Sequence, residues 1–593
     1  MRLANGPDDV TPITSLTASQ PADVTTVSDD YQRVVSETVV TYSRYMSAHF
    51  TPSNDPESDL GISDLGTTDP RDPEHDQTAS YALDPAYVRA LTARVLSTSG
   101  ESAPTYCPFN GQPLAMIPQS SAGDIDEAYN RARRAQEAWA ATSLDDRAEK
   151  MLALHDLILD RQEEIIDLIC WESGKARKHA FDEPPHVALT ARYYARTAHK
   201  HLDTSRRKGV VPGLTRVEVN RVPKGVVGII SPWNYPFTMA LCDGLPALMA
   251  GNAVVHKPDA QTMLSALLGV QLLEEAGFPR DLWQTVAGPG RQLGGPMIER
   301  SDYICFTGST ATGKIIAKQC AEQLIGCSLE LGGKNPILIL RDAGIDKAAE
   351  GAIRASFSNA GQLCVSMERM FIADQIYDRF VDRFVEQTKA MNLKSGLGWG
   401  SDMGSLISQD QLDTVVRHVE DAVSKGARVL TGGNARPDLG PYYFEPTILE
   451  GVTPDMICFG EETFGPVISL YRFRDESDAV DRANAGEFGL NASIYCQDGK
   501  RARAIARQIK CGTVNINEAF GATFASIDSP MGGMRDSGLG RRQGSEGVHR
   551  YTESQSVATQ RLIRFAPMLG MKDKTYAKVM TANLRLMKKL GRP

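Results

Sequence analysis

Short β-branched runs separated by helical periodicities constrain this chain more than anything else in it. Gly225–Ser231 (GVVGIIS) has no polar face, and Ala253–His256 repeats the pattern. A strand without a polar face is buried on both sides, which suits a parallel sheet covered by helices. Helical spacing fills the flanking intervals, at Ile125–Ser143, Asp145–Gly174, Val187–Leu202 and Ala260–Gly277, while Thr215–Val222 alternates like a half-buried strand. A second alternation starts near Asn335, with strands predicted at Pro336–Leu340 and Arg369–Ala373 and helices at Ala343–Ala360 and Tyr377–Lys389. Two successive α/β stretches predict two domains sharing a cleft.

The ends of the chain read differently. Residues 1–84 are rich in Asp, Ser, Thr and Pro, a composition that buries too little apolar surface to offset its ordering entropy, so an acidic, mostly disordered arm is expected. Within it, Tyr31–Phe50 has the apolar content of a short helix. Residues 561–593 form a basic tail carrying Lys572, Lys574, Lys578, Lys588 and Lys589, read as a surface helix before a membrane or partner contact. The net charge of -9 argues against nucleic acid as a partner, and no apolar run approaches the roughly 20 residues of a membrane-spanning helix. No secretory leader is visible, and the ten cysteines show neither CxxC pairs nor zinc spacing. A cytoplasmic protein without a metal is expected, with cysteines such as Cys305 and Cys496 filling cores.

Five segments bear on chemistry. Leu329–Pro336 (LELGGKNP) places a carboxylate, Glu330, before a Gly-Gly turn, and Gly361–Cys364 (GQLC) places a thiol after a glycine and a glutamine. A thiol and a carboxylate are the minimum for covalent attack on a carbonyl followed by hydrolysis. Pro232–Phe237 (PWNYPF) follows a predicted strand directly, so Asn234 is either a turn residue or an amide donor aimed into the cleft. The glycine-rich stretches Gly288–Gly294 and Phe306–Gly313 lead into helices, where backbone N–H groups favour phosphate. Taken singly, structural glycine turns outnumber phosphate loops.

In their order along the chain these segments resemble the signatures of the aldehyde dehydrogenase superfamily, together with Glu461–Val467 (EETFGPV) and Pro530–Gly544 (PMGGMRDSGLGRRQG). The resemblance implies an α/β fold of two Rossmann-like domains plus a small β oligomerisation element. It divides the chain into a cofactor-binding part (85–331, with oligomerisation strands at 208–222), a catalytic part (332–528) and a C-terminal signature with an oligomerisation strand (529–560). It assigns Cys364 as nucleophile, Glu330 as base for hydrolysis and Asn234 as oxyanion donor. It places Ser231, Trp233, Lys257, Ala260, Gly290, Gly308, Ser309, Glu462 and Phe464 at the cofactor. Ala260 stands where NAD-preferring relatives often carry a glutamate, so NADP is the expected cofactor, with NAD possible. A homodimer or homotetramer is implied.

The overall pattern looks closest to bacterial succinate-semialdehyde dehydrogenases. Their substrate carries a distal carboxylate, for which an arginine is the natural partner. Two departures follow. The family's arginine before the nucleophile is Ser358 here, and a second, on the Val187–Leu202 helix, is replaced by His199 or Lys200; Arg196, Arg354 and Arg369 are the substitutes within reach. Ser366 replaces the second cysteine that some relatives use for a redox switch, which confines oxidative inactivation to Cys364. The alternatives are an aldehyde dehydrogenase for uncharged aliphatic or aromatic aldehydes, a cofactor-independent cysteine hydrolase, and a non-catalytic binding protein.

Overall fold

The run read as a doubly buried strand is one: Val226–Ile230 lies in the middle of a six-stranded sheet and pairs in parallel with Ala253–Lys257 on one side and Tyr303–Thr307 on the other. The computed structural model describes residues 83–210, 214–394, 396–561, 566–567 and 570–591. The expected acidic arm, including Tyr31–Phe50, lies outside them apart from Leu83 and Asp84.

Edge to edge, the first sheet runs Gly538–Leu539, Gly326–Glu330, Tyr303–Thr307, Val226–Ile230, Ala253–Lys257 and Trp283–Thr285. Only the C-terminal Gly538–Leu539 is antiparallel, laid against Leu329 and Glu330. The chain reverses its direction of progress across the sheet between Val226–Ile230 and Tyr303–Thr307. That switch point leaves a crevice at the carboxyl ends of the two strands, the usual ligand site of an open α/β sheet. Ser231 and Gly308 are the first residues beyond these ends.

A second sheet of seven strands runs Arg428–Thr431, Thr447–Glu450, Val467–Phe473, Met367–Ala373, Asn335–Ile339, Asn491–Tyr495 and Thr513–Ile516, all parallel except the first. A third sheet is antiparallel: Thr552–Gln560, Thr215–Pro223 and Ser205–Arg207, the last two following the helix Glu183–Leu202. Each large sheet has its own buried apolar core, one around Val227, Leu267 and Trp139, the other around Ile337, Phe384 and Ile468.

One predicted helix is two. The periodicity from Asp145 to Gly174 is interrupted at Arg161 (φ -108°, ψ 24°), giving Leu144–Asp160 and Gln162–Ser173. The Arg161 guanidinium ties this break to Glu164 and Glu275, so the apolar stripe continues while the backbone does not. In the tail, Asp573–Lys589 is helical and no residue of it is buried. No helix among the described residues is long and apolar enough to cross a membrane.

Candidate active site

The loop before Cys364 is held in a conformation that few sequences tolerate. After the helix Ile345–Phe357, Asn359, Ala360 and Gly361 all have positive φ (50°, 52° and 72°). Gly361 is required twice over: its φ is left-handed, and a Cβ there would run into the carbonyl of Gly465. Gln362 is fully buried and pins the loop, its Oε1 accepting from Ile407 N at 3.0 Å and its Nε2 donating to Asn359 O at 3.1 Å. Cys364 follows, half-buried, with its carbonyl accepting from Asn335 Nδ2 at 2.7 Å.

Asn234 comes to this loop from the other sheet. Its buried amide donates to Gln362 O at 3.0 Å, and Asn359 Nδ2 donates to Asn234 O at 3.1 Å and to Gln362 O at 3.2 Å. One N–H of the Asn234 amide is thereby spent on the loop, leaving the second for a bound group. Tyr235, next along, is buried under the Lys175 ammonium, 3.7 Å from the ring centroid, and Lys175 is itself paired with Glu183 at 2.6 Å.

Glu330 ends the strand Gly326–Glu330 and is 6 % exposed. Burial pushes its carboxyl up to about 7, against the pull of Arg542. Burial, then the nearby negative charges of Glu330 and Glu462, push the Cys364 thiol up to about 12. A carboxylate and a thiol from opposite sheets therefore feel each other electrostatically.

The predicted cofactor residues fall into two groups. Ser231, Lys257, Gly308 and Ser309 lie at the carboxyl ends of the first sheet's strands. Ser231 Oγ is bonded to His256 Nε2 at 2.8 Å, Gly308 N donates to Glu330 O at 3.0 Å, and Ser309 caps the helix Thr310–Glu322 through Thr312 N. Gly290 opens the helix Gly290–Arg300 beside the Lys257 side chain. Ala260 is exposed, and neighbouring Asp259 turns its carboxylate onto Gln261 N at 3.0 Å. The second group comes from the other sheet: Glu462 Oε1 accepts from Gly333 N at 2.8 Å, and the ring of Phe464 packs edge-on against Trp233, centroids 5.5 Å apart.

Whether these residues suit a dinucleotide is testable on Lys257. It is 7 % exposed, and for three N–H donors its ammonium finds one acceptor, Pro258 O at 2.9 Å. A buried ammonium so placed needs hydroxyl or phosphate oxygens from elsewhere. Beside it lies the N-terminus of the helix Gly290–Arg300, whose first-turn N–H groups favour an anion, and the helix Thr310–Glu322 starts from the end of a strand of the same sheet. The donor set fits.

Sequence reasoning missed two sets of residues. Glu368 is buried and accepts from Thr463 N and Phe464 N while paired with Lys334, so it clamps the Glu462–Phe464 turn onto the Gly332–Gly333 turn. Asp243 accepts from Arg542 at 2.9 Å and from Arg550 at 2.6 Å, and Arg542 Nε stands 3.9 Å from Glu330 Oε1. The arginine pair in Pro530–Gly544 was the available signal for the second set.

The candidate substitutes for the missing arginine separate clearly. Arg369 is buried and donates to four backbone carbonyls, those of Lys334, Arg482, Ala483 and Ala485. Arg196 is on an exposed helix surface, and His199 is tied to Asp145 and Asp203. Arg354 lines a cavity of about 1340 Å³ together with Ser358, His179, Asp182 and Glu518. Its side chain is 53 % exposed and its nearest carboxylate, Glu518, is at 3.7 Å.

Comparison with known proteins agrees with this architecture. The sequence profile of the Aldehyde dehydrogenase family matches residues 95–557. A Mycolicibacterium smegmatis protein named as an NADP(+) succinate-semialdehyde dehydrogenase is 47% identical over 512 residues, 86% of this chain and 99% of the relative. The crystal structure of succinate-semialdehyde dehydrogenase from Burkholderia pseudomallei superposes with a TM-score of 0.75 at 32% identity, covering 78% of this chain and 95% of that one. A betaine aldehyde dehydrogenase from Staphylococcus aureus, solved with NAD+, gives 0.76 at 29% identity, covering 82% and 98%.

Proposed function

The chain belongs to the aldehyde dehydrogenase family, oxidising an aldehyde to a carboxylic acid with NAD(P), and we propose that its substrate is succinate semialdehyde, turned over on Cys364 with NADP preferred. The observation that carries the chemistry is the convergence of three groups from two sheets: the Cys364 loop, the Asn234 amide bonded into it, and the buried Glu330 carboxylate.

Cys364, its thiol proton released to water, attacks the aldehyde carbonyl as a thiolate, forming a C–S bond while the C=O π bond breaks to a tetrahedral oxyanion. The free N–H of Asn234 donates to that oxygen. The nicotinamide, when bound, supplies the acceptor for the hydride leaving this carbon. Lys257, Ser231, Gly290, Gly308, Ser309 and the exposed Ala260 would line the side of the crevice for the adenosine and phosphates, while Glu462, Phe464 and Trp233 would hold the reactive end. Loss of hydride leaves a thioester on Cys364. Glu330 then takes a proton from water, the hydroxide adds to the thioester, and the thiolate departs, releasing the acid.

Ala260 presents no carboxylate to a 2′-phosphate, and Asp259 directs one oxygen onto Gln261 N while its charge still reaches the Lys257 ammonium. For the far end of the substrate, Arg354 is the candidate partner: it lies one helical turn before Ser358, in a cavity lined by Ser358 but not by Cys364, Asn234 or Glu330. We further assign residues 85–331 to cofactor binding, 332–528 to catalysis, and a cytoplasmic homodimer or homotetramer to the whole. The exposed strand Thr552–Gln560, at the edge of its sheet, is the element for assembly.

The test is cofactor absorbance with succinate semialdehyde and NADP or NAD, beside Cys364→Ala. Reduction faster with NADP and abolished by the substitution supports the reading. Turnover of an uncharged aldehyde alone would overturn the substrate, and acid formation without reduction would overturn the chemistry.

A further inference from the structure

Behind Glu330 lies a buried ionic cluster that the reaction as described does not use. Asp243, in the turn between the helices Pro236–Leu241 and Gly244–Met249, accepts from both Arg542 and Arg550. Arg542 also donates to Thr307 Oγ1 at 3.0 Å, and Arg550 to Ser328 Oγ at 3.0 Å and Tyr551 OH at 2.7 Å. All three charged side chains are 10 % exposed or less. Two guanidiniums against one carboxylate leave one positive charge in excess, buried where water cannot screen it.

That excess faces Glu330. Arg542 Nε is 3.9 Å from Glu330 Oε1, and both atoms are buried without a hydrogen-bond partner. Gly532 (φ +154°) also borders the carboxylate: a Cβ there would lie 2.9 Å from the same Oε1 and 2.9 Å from the Gly540 carbonyl oxygen. The other groups facing Glu330 are Arg541, whose Nη1 is spent on Gly533 O and Gly540 O, and Cys364 across the cleft. His186, facing Arg542, is kept neutral by burial.

Taking Glu330 as the deacylation base proposed above, we infer that Arg542 is a positioning residue for it: the Asp243–Arg542–Arg550 cluster supplies the unpaired positive charge that keeps the buried carboxylate ionised and aimed at the thioester. Asp243 sets how much of that charge reaches Glu330. The two residues therefore act on the base with opposite sign, which a purely structural pair would not do.

The test needs no knowledge of the natural aldehyde. p-Nitrophenyl acetate acylates a reactive thiol: the C–S bond forms, the ester C–O bond breaks, and p-nitrophenolate leaves in a burst. The steady phase then reports hydrolysis of the acetyl thioester, with water's proton passing to Glu330. In Arg542→Met, the acid limb of the steady-phase rate is expected to move to higher pH by about 1–3 units, the range for loss of a close opposite charge. In Asp243→Asn it is expected to move to lower pH, and Arg542→Lys should restore much of the parent profile. Burst amplitude and thermal melting check that each variant is folded. Limbs that stay put, or that move the same way in both variants, overturn the inference. Should Arg542→Met not fold, Asp243→Asn decides alone: a limb unmoved or shifted upward refutes it. Esterase activity that survives in Cys364→Ala would instead refute the role of Cys364, so the two failures are distinct.

Discussion

Replacing Asn234 with alanine separates the oxyanion role proposed for its amide from its part in holding the Cys364 loop. Two amides, Asn234 Nδ2 at 3.0 Å and Asn359 Nδ2 at 3.2 Å, donate to the Gln362 carbonyl. Alanine removes the first and leaves the second, so the carbonyl is not stranded, and the stability lost is that of one hydrogen bond, about 1 kcal/mol. The bond from Asn359 to Asn234 ends on the backbone oxygen and survives the substitution. Catalysis should suffer far more. A donor aimed at a developing oxyanion is worth about 10²–10³ in turnover, or roughly 2.7–4 kcal/mol. Rapid-mixing measurement of cofactor reduction, alkylation of Cys364 by iodoacetamide and thermal melting together separate the two costs. Slowed reduction with near-parent alkylation and melting is expected. Undiminished reduction would put the oxyanion donor elsewhere, and a collapse of thermal stability would make Asn234 a scaffold residue.

Four further outcomes follow from the same geometry. Gly361→Ala combines positive φ with a collision against Gly465 O, so it should cost about 1–3 kcal/mol in strain alone and be read as a lowered melting temperature with lost burst amplitude. Because the Glu330 carboxylate is a cause of the raised Cys364 thiol, Glu330→Gln should bring the thiol down from about 12 and speed iodoacetamide alkylation at fixed pH; slower alkylation would mean that Glu330 deprotonates the thiol instead. In the parent enzyme the deacylation rate should fall as pH drops through about 7, since protonation of Glu330 removes the base. Ala260→Glu should move preference from NADP towards NAD, and even about 1.4 kcal/mol of repulsion would appear as a tenfold rise in the NADP KM; an unchanged ratio of KM values would separate Ala260 from the 2′-phosphate.

The strands were legible because their burial is written locally. Val226–Ile230 has no polar residue to face water, and the turn residues that follow it mark the crevice. The broken helix at Arg161 was not, since the apolar stripe runs through the break and the Arg161 contact to Glu275, 114 residues away, exists only in the fold. The same distinction holds in the site. Cys364, Glu330 and Asn234 sit in segments whose glycines and order are recognisable, whereas Arg542 meets Asp243 across 299 residues of sequence. Nothing local distinguishes that arginine from its neighbour Arg541, which spends its guanidinium on loop carbonyls. Likewise, the Glu368–Lys334 pair that holds the Glu462 turn exists only once the second sheet has formed.

Covalent turnover at Cys364 with hydrolysis assisted by Glu330 is tested most directly by mixing Glu330→Gln with succinate semialdehyde and NADP, then following cofactor absorbance and the intact mass. One equivalent of cofactor per active site should be reduced in a burst, followed by near arrest. The protein should carry a hydroxylamine-labile acyl group that maps to Cys364 and is absent in Cys364→Ala. Steady turnover without an adduct, or an adduct on another residue, would contradict the assignment.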